Sequence, residues 1–266
     1  MFILERSIMN ILVIGDVVGV PGLSALERGL RPLKKELAAD FTVVNGENSA
    51  MNGTIPKHCQ AMLDAGADVI TLGNHALRKQ QIVPFLEDNP YVLRPANLAP
   101  QTPGQGCGLY EVGHSRILVM NLQGRCEMAF GPDNPFLKAD RILKEYEGEY
   151  DVALCEFHAG ATSEKNAMGF YLDGRVAGVY GTHTHVQTAD ERVFPKGTGY
   201  ITDIGMTGPV WSVLGVRPEQ SIALFRGDLT SVFEPAEGVC AICGALLDVD
   251  EKSGRCRSIK RVYREV

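Results

Sequence analysis

Seven residues of the types that bind metal ions stand just after short apolar runs of this sequence. Five separate runs are followed in this way by carboxylates, amides or imidazoles. Because ligands of open α/β sheets bind beyond the carboxyl ends of the strands, we expect these side chains to gather at one site. One such residue is usually a turn residue or a helix cap, but turn chemistry does not account for five coincidences. The candidate metal ligands are Asp16, Glu47, Asn48, Asn74, His158, His183 and His185.

The spacing of His183 and His185 adds a geometric argument. Side chains two residues apart in an extended segment point to the same side, so both imidazoles are predicted to face one site. A mixture of imidazole, carboxylate and amide ligands without thiolates suits iron, manganese or zinc. Seven candidate ligands exceed the needs of one tetrahedral ion. We therefore expect two metal ions that share a bridging carboxylate.

Apolar runs and helical repeats predict the elements that position these residues. Strands alternate with helices, and a strand-rich tail follows about residue 228. This pattern predicts a layered α/β fold with a single domain over residues 9–266. Residues 1–8 are predicted to be an N-terminal extension, with Met9 as an alternative start. The predicted strands are 10–14, 41–44, 68–72, 117–120, 152–157 and 176–180, and the predicted helices are 21–37, 56–66, 135–148 and 163–173.

The composition argues against several classes of protein. The 266 residues carry a net charge of −6, which disfavours a basic surface for nucleic acids or anionic membranes. No signal peptide is apparent, and no apolar run approaches the roughly 18 residues of a membrane span. Seven scattered cysteines are typical of a reduced, cytoplasmic protein. Cys240 and Cys243 have redox or zinc spacing, but they lie in a strand-like run and we interpret them as structural.

Other phosphate-binding and hydrolytic motifs do not fit this sequence. The turn from Gly15 to Gly22 has the spacing G-x-x-x-G-x-x-G, whereas the dinucleotide fingerprint is G-x-G-x-x-G. No G-x-x-x-x-G-K-[ST] motif occurs, and no G-x-S-x-G motif supplies a serine nucleophile. A dinuclear metal site is the interpretation that remains.

Several motifs resemble those of a known enzyme family. Gly73-Asn74-His75 and the segment from Gly181 to His185 are similar to the G-N-H and G-H-x-H blocks of calcineurin-like metallophosphoesterases. Nearly the whole chain after Met9 resembles the bacterial YmdB-type branch of that superfamily. The resemblance implies a four-layer α-β-β-α sandwich with a dinuclear centre at one sheet edge. The stretches that carry the closer resemblance are 14–19, 45–48, 158–165, 181–192 and 205–209.

The resemblance also implies two sets of ligands that share Glu47 as a bridge. His75 would be the unliganded catalytic histidine beside the phosphate. The usual D-x-H block of the superfamily is absent after Asp16, so Asn48 takes its place, as in the YmdB-type branch. Glu156 and Gly160 also depart from the family pattern, which bears on hydrogen bonding to His158 rather than on its role as a ligand. The first set is Asp16, Glu47, Asn48 and His185, and the second is Glu47, Asn74, His158 and His183.

The activity implied by the resemblance is hydrolysis of small phosphate esters, particularly 2′,3′-cyclic nucleotides. A metal-bridged hydroxide would attack in line, and His75 would transfer a proton or hydrogen-bond the phosphate. We expect two divalent or mixed-valence ions, with iron favoured over manganese or zinc. The resemblance is compatible with a homo-oligomer, and no membrane or strong direct nucleic-acid binding is expected.

Two alternative functions remain open from the sequence. The same metal core can serve a phosphomonoesterase or nucleotidase, in which Arg94, Arg125 or Lys165 could grip a terminal phosphate. Each of these cations is more often a solvated or salt-bridged residue. The other alternative is a regulatory protein of RNA metabolism whose metal site serves signalling. No RNP-like aromatic motif or basic helix supports direct RNA binding.

Overall fold

The computed structural model describes residues 8–128, 131–228 and 232–266. Strands and helices alternate along the chain, which ends in two long strands. The helices are α1 (Gly19–Leu37), α2 (Pro56–Ala65), α3 (Ile82–Asp88), α4 (Pro135–Glu145), α5 (Thr162–Leu172) and α6 (Pro218–Phe225). The strands are β1 (Ile8–Ile14), β2 (Asp16–Val17), β3 (Phe41–Asn45), β4 (Val69–Thr71), β5 (Val92–Leu93), β6 (Cys107–Val112), β7 (Ser115–Gln123), β8 (Val152–His158), β9 (Gly178–Thr182), β10 (Arg192–Val193), β11 (Gly199–Ile201), β12 (Met206–Pro209), β13 (Cys240–Asp250) and β14 (Arg255–Glu265).

The first sheet joins the two ends of the described chain. Its strand order is β2-β12-β13-β1-β3-β4-β5, and β14 pairs with β13 outside this path. β1, β3, β4 and β5 are parallel, whereas β13 is antiparallel to β1, with Ile8 opposite Asp250. This pairing joins the first and the last described strands into one sheet. β1 begins at Ile8, one residue before the predicted domain start, and the rest of the predicted extension lies outside the described residues.

The second sheet has the strand order β10-β11-β9-β8-β7-β6. β7, β8, β9 and β11 are parallel, while β6 and β10 are antiparallel to their neighbours at the two edges. Every residue of β8 and β9 is buried, as expected for parallel strands that are covered on both faces. Their continuous apolar runs are the reason that the sequence predicts them.

The leucine repeat in the sequence explains why α1 is a helix and which of its faces is buried. Steps of three and four residues put the leucines on one face, and that face packs against the first sheet. α2 ends at Gly66, whose left-handed φ of 112° suits glycine and closes the helix. Both helices match the prediction closely. The buried leucines of α1 are Leu23, Leu26, Leu30 and Leu33.

Three hydrophobic clusters show how the elements are layered. One cluster lies between the sheets and joins Ile11 and Val43 of the first to Val119 and Leu154 of the second. A second cluster packs α1 and α2 on the other face of the first sheet. The third packs α4 and α5 on the second sheet. The predicted α/β class with two sheets is confirmed, and the clusters support the helix–sheet–sheet–helix order.

Two helices lie outside the predicted ones. α3 and α6 span seven and eight residues, which is too short for a repeat at helical spacing to stand out. α4 ends at Glu145, three residues before the predicted end at residue 148. Among the described helices, none has the length and apolar character needed to cross a membrane.

Candidate metal centre

The seven predicted ligands and His75 all lie where strands end. The first sheet supplies the residues that follow β1, β3 and β4, and the second sheet supplies residues at the ends of β8 and β9. Contacts between polar atoms join all eight residues into one cluster. The first sheet contributes Asp16, Glu47, Asn48, Asn74 and His75, and the second contributes His158, His183 and His185.

Four side chains meet around the Nε2 atom of His158. This atom lies 3.1 Å from Oε1 of Glu47, 3.0 Å from Oδ1 of Asn74 and 3.1 Å from Nδ1 of His183. Glu47 and His158 are fully buried, so water has little access to the atoms between them. These four residues are the second ligand set that the resemblance implies.

The other ligand set surrounds the Nε2 atom of His185. This atom lies 3.2 Å from Nδ2 of Asn48 and 3.7 Å from Oδ1 of Asp16. Nδ1 of His185 is 3.1 Å from the backbone oxygen of Leu214, to which it donates, so Nε2 is the ring nitrogen left for a metal ion. Glu47 connects the two sets, because its Oε1 also accepts a hydrogen bond from Nδ2 of Asn48 at 3.2 Å.

The chemistry of these atoms fits metal ions. Nε2 of His158 and Nδ1 of His183 face each other at 3.1 Å, and two nitrogen lone pairs need a proton or a cation between them. Oδ1 of Asp16 is buried and has no hydrogen-bond partner in the described part of the chain. Gly73 leaves a space beside His158 and Glu47 that a Cβ atom would fill. The donor set, the unpartnered oxygen and this space therefore suit a metal centre.

The side-chain amide of Asn48 is not oriented as its predicted role as a metal ligand requires. Its Nδ2 faces Glu47 and His185, and its Oδ1 lies 3.0 Å from Nδ1 of His75. An amide binds a metal ion through its oxygen, so ligation by Asn48 requires a half-turn of the amide plane. That turn would direct the Nδ2 donor toward His75.

Burial and charge act in opposite directions on the titratable ligands. Burial raises the pKa of Glu47, but the charge and hydrogen bond of His158 outweigh it and lower that pKa well below its ordinary value. Burial, assisted by the nearby His158, lowers the pKa of His183 to about 4. Burial also opposes the charge on His185, but the nearby carboxylate of Asp16 prevails and raises the pKa of His185 to about 9. Near pH 7 Glu47 is thus ionised and His183 neutral, the forms that bind metals. His185 is protonated on both ring nitrogens at that pH, and a metal ion would have to displace the proton on Nε2.

The two histidines after β9 converge for a reason other than the predicted one. The extended conformation predicted for this segment is wrong, because His183 and His185 have left-handed φ angles of 99° and 63°. Thr184 between them donates from its N and Oγ1 atoms to Oδ2 of Asp203, at 3.0 and 2.7 Å. Nζ of Lys165 lies 2.7 Å from the same oxygen, and both charged side chains are buried. This ion pair therefore anchors a strained loop. The left-handed conformation costs of order 1–3 kcal/mol for each residue that adopts it.

Glu156 connects the ligand-bearing strands behind the site. Its Oε1 accepts hydrogen bonds from Nδ2 of Asn45 at 2.6 Å and Oγ1 of Thr182 at 2.9 Å, and its Oε2 accepts one from Thr71. These donors are the last residues of β3, β9 and β4. Because the Thr182 hydroxyl donates to Glu156, it accepts from Nδ1 of His158 at 2.9 Å, which leaves Nε2 free for a metal. Burial raises the pKa of Glu156 to about 7, although the hydrogen bonds from Thr71 and Asn45 act to lower it.

Asp203 is a supporting residue that the sequence does not assign to the site. Glu156 enters the expectations from the sequence only through hydrogen bonding to His158, which it reaches by way of Thr182. Asp203 follows the strand β11, so the same strand-end rule that identifies the ligands could have found it. Glu156 lies inside β8, and its partners belong to three other strands. No local pattern signals such a residue.

The three cationic side chains considered for phosphate binding either have other partners or lie on the surface. Arg94 is 8% exposed and donates to backbone oxygens of the loop that follows it. Lys165 belongs to the buried ion pair described above, and Arg125 is exposed on the surface. The alternative of a salt-bridged residue therefore applies to Lys165 and that of a solvated residue to Arg125, whereas Arg94 is buried and hydrogen-bonded to the backbone. Cys240 and Cys243 are buried free thiols of β13, in keeping with their structural interpretation.

Replacing Gly73 by alanine should weaken metal binding roughly 10- to 100-fold, the scale seen when groups around ligands are disturbed. The added Cβ would meet His158 and Glu47. Gly160→Ala is the matched control, because its Cβ would have contacts no closer than 3.6 Å. Equilibrium dialysis with elemental analysis measures the bound metal, and circular dichroism checks the fold. Equal metal binding by both variants would contradict the assigned position of the centre.

Removal of the Thr184 hydroxyl should loosen the loop that carries His183 and His185. Thr184→Val keeps the shape of the side chain but deletes the donor to Asp203, at a cost of about 1–3 kcal/mol in unfolding free energy. Titration with Mn²⁺ should show weaker binding, while Thr184→Ser should bind the ion as the unmodified protein does. Identical Mn²⁺ affinity for the valine and serine variants would rule out the anchoring role.

Comparisons with known proteins identify the relatives of this chain. Residues 12–262 match the model of the YmdB-like protein family. A 2′,3′-cyclic-nucleotide 2′-phosphodiesterase of Bacillus subtilis (strain 168) is 44% identical over 257 residues, which are 96% of each chain. The crystal structure of a hypothetical protein from Thermus thermophilus superimposes with a TM-score of 0.89 at 38% identity, covering 97% of this chain and 99% of that one. A Mycoplasma pneumoniae structure described as a novel phosphatase gives a TM-score of 0.90 at 33% identity, covering 97% and 94%. The chain belongs to the YmdB-like protein family.

Proposed function

We propose that this chain is a metal-dependent phosphodiesterase that hydrolyses small phosphate esters, with 2′,3′-cyclic nucleotides as the favoured substrates. The observation that carries the proposal is the pair of ligand sets joined by Glu47, with His75 at their border. The Bacillus subtilis relative bears the name of this activity and is similar over nearly its whole length. The donor atoms and the relative thus support the same reaction class.

The two ligand sets would hold two divalent or mixed-valence ions. When bound, these ions polarise phosphoryl oxygens and lower the pKa of water. Imidazole, carboxylate and amide ligands without thiolates suit iron, manganese or zinc, and we propose iron as the resident metal. The ligands proposed for one ion are Asp16, Glu47, Asn48 and His185, and those for the other are Glu47, Asn74, His158 and His183.

His75 is placed to act on the substrate. Its backbone N–H donates to Oε2 of Glu47 at 3.1 Å, and its Nδ1 lies 3.0 Å from Oδ1 of Asn48. Because Nδ1 is engaged, Nε2 is the ring nitrogen left to hydrogen-bond a phosphate oxygen or to protonate the leaving oxygen. The ring lines a cleft together with His183 and His185. We therefore assign proton transfer at Nε2 to His75.

The cleft over the ligands suits a small ester rather than a polymer. Its volume is about 160 Å³, and Val18 and Leu214 line it beside the histidines. The net charge of −6 provides no overall attraction for a nucleic-acid backbone. Both features support a small-molecule substrate and weak direct binding of nucleic acids.

The cellular setting and assembly state are also proposals. All seven cysteines are free thiols, which supports a reducing compartment and hence the cytoplasm. Trp211 and Phe225 are 80% and 85% exposed, and Ile222 is 54% exposed. Exposed apolar side chains of this size support self-association into a homo-oligomer.

Chelation of the metal should abolish hydrolysis, and its return should restore it. We expect the EDTA-treated protein to be inactive toward 2′,3′-cyclic AMP and to recover best with Fe²⁺ under anaerobic conditions, compared with Mn²⁺ and Zn²⁺. The diester should be preferred over the monoester 3′-AMP by about tenfold or more in kcat/KM. Preference for the monoester would favour the phosphatase activity named for the Mycoplasma relatives. Full activity in EDTA would refute metal dependence.

Substitution of His75 by alanine should lower kcat by about 100- to 10,000-fold, because a general acid contributes on this scale. The bound metal should stay at the level of the unmodified protein, since His75 is not a proposed ligand. The exposed His114 provides the matched control, and His114→Ala should leave kcat unchanged. Steady-state kinetics and elemental analysis give both quantities. Unchanged kcat in His75→Ala would remove it from the mechanism.

A further inference from the structure

A second cleft opens on the other side of the turn that carries His75. Its volume is about 320 Å³, within the range of roughly 300–1,000 Å³ that is usual for small-ligand sites. His75 lines the cleft over the ligands, whereas its neighbours Asn74 and Ala76 line the second one. Gln123 also lines the second cleft and is the register partner of His158 in the second sheet. This cleft is thus continuous with the proposed metal centre.

The walls of the second cleft are mostly apolar. Leu77 comes from the turn after Asn74, and Leu98 and Ala99 come from a loop on the opposite side. Thr102 and Gln123 add polar groups to the lining. A small number of polar groups on apolar walls is typical of small-molecule sites, and a flat, uncharged ring with hydrogen-bonding edges matches this lining.

The loop on the far wall is held in place from behind. Nη1 and Nη2 of the buried Arg94 donate to the backbone oxygens of Pro95 and Thr102, at 2.8 and 3.1 Å. Nδ2 of Asn97, which is 1% exposed, donates to the backbone oxygens of Gln123 and Asp133, at 2.7 and 2.8 Å. These buried hydrogen bonds join both ends of the loop to the fold. The cleft is therefore preorganised, which lowers the entropic cost of binding.

We propose that this cleft binds the nucleobase of the substrate while the phosphate lies at the metal centre. The proposal rests on the proposed function and adds a residue-level basis for substrate choice. Among the described lining residues the single charged side chain is that of Arg78, at the exposed rim. A second phosphate group or an acidic peptide would need more cations than this. Specificity for a nucleotide over an ester without a base depends on Leu77 and Ala99.

Two substrates and three variants test the proposal. Glycerol 1,2-cyclic phosphate has the same five-membered cyclic diester as 2′,3′-cyclic AMP but no base. Ala99→Phe fills the cleft and Leu77→Ala removes a wall, and both residues are exposed, so the fold tolerates the changes. Both variants should raise KM for 2′,3′-cyclic AMP about tenfold, the scale of a small apolar contact, and leave kcat/KM for the glycerol ester unchanged. Leu137→Ala, which removes a leucine that is 54% exposed on α4, should change neither.

Adenosine binding, measured by calorimetry, separates this proposal from the proposed function. Adenosine has no phosphate, so its binding depends on the cleft and not on hydrolysis. We expect the metal-loaded protein to bind adenosine and the Ala99→Phe variant to bind it at least about tenfold more weakly. Equal losses on both substrates, or equal adenosine binding by variant and unmodified protein, would overturn the cleft assignment. An unmodified protein that binds adenosine but hydrolyses neither ester would support the cleft and refute the proposed function.

Discussion

The carboxyl group of Glu156 holds together the strand ends on which the site depends. It is fully buried and accepts hydrogen bonds from the final residues of three strands, two in the first sheet and one in the second. Hydrogen bonds to a buried carboxyl are strong in a medium of low dielectric constant, and loss of one donor leaves a costly unsatisfied group. The three strand ends therefore keep fixed positions across the space between the sheets. The proposed ligands that follow these strands are therefore held at fixed distances from one another.

Much of this arrangement could be predicted because its signals are local. A parallel strand that is covered on both faces is a continuous apolar run, so β1, β3 and β8 can be read from the sequence together with the polar residues that follow them. Parallel strands place their carboxyl ends at one edge, which brings Asp16, Glu47 and Asn74 together in the first sheet and His158 and His183 together in the second. The leucine repeat of α1 is equally local, since its period alone identifies the buried face.

The parts that could not be predicted depend on contacts between distant residues. The left-handed backbone at His183 and His185 exists because Asp203, beyond β11, and Lys165, in α5, fix the residue between them. Neither partner is recognisable from the His-x-His segment itself. The orientation of the Asn48 amide likewise depends on His75 and His185, which follow other strands, as well as on its neighbour Glu47. Interactions of this kind produce no repeating pattern of residues in a sequence.

The division of the ligands between two sheets has a consequence for maturation on the ribosome. Each proposed ligand set needs at least one histidine that follows β8 or β9, so a nascent chain that ends before residue 158 has neither set. The first sheet is also unfinished at that stage, because β13 must insert between β1 and β12. Metal ions would therefore bind after β13 has been synthesised rather than to a shorter growing chain. The supply of metal in the cell would act on chains that already contain this strand, and translation up to it would proceed without metal.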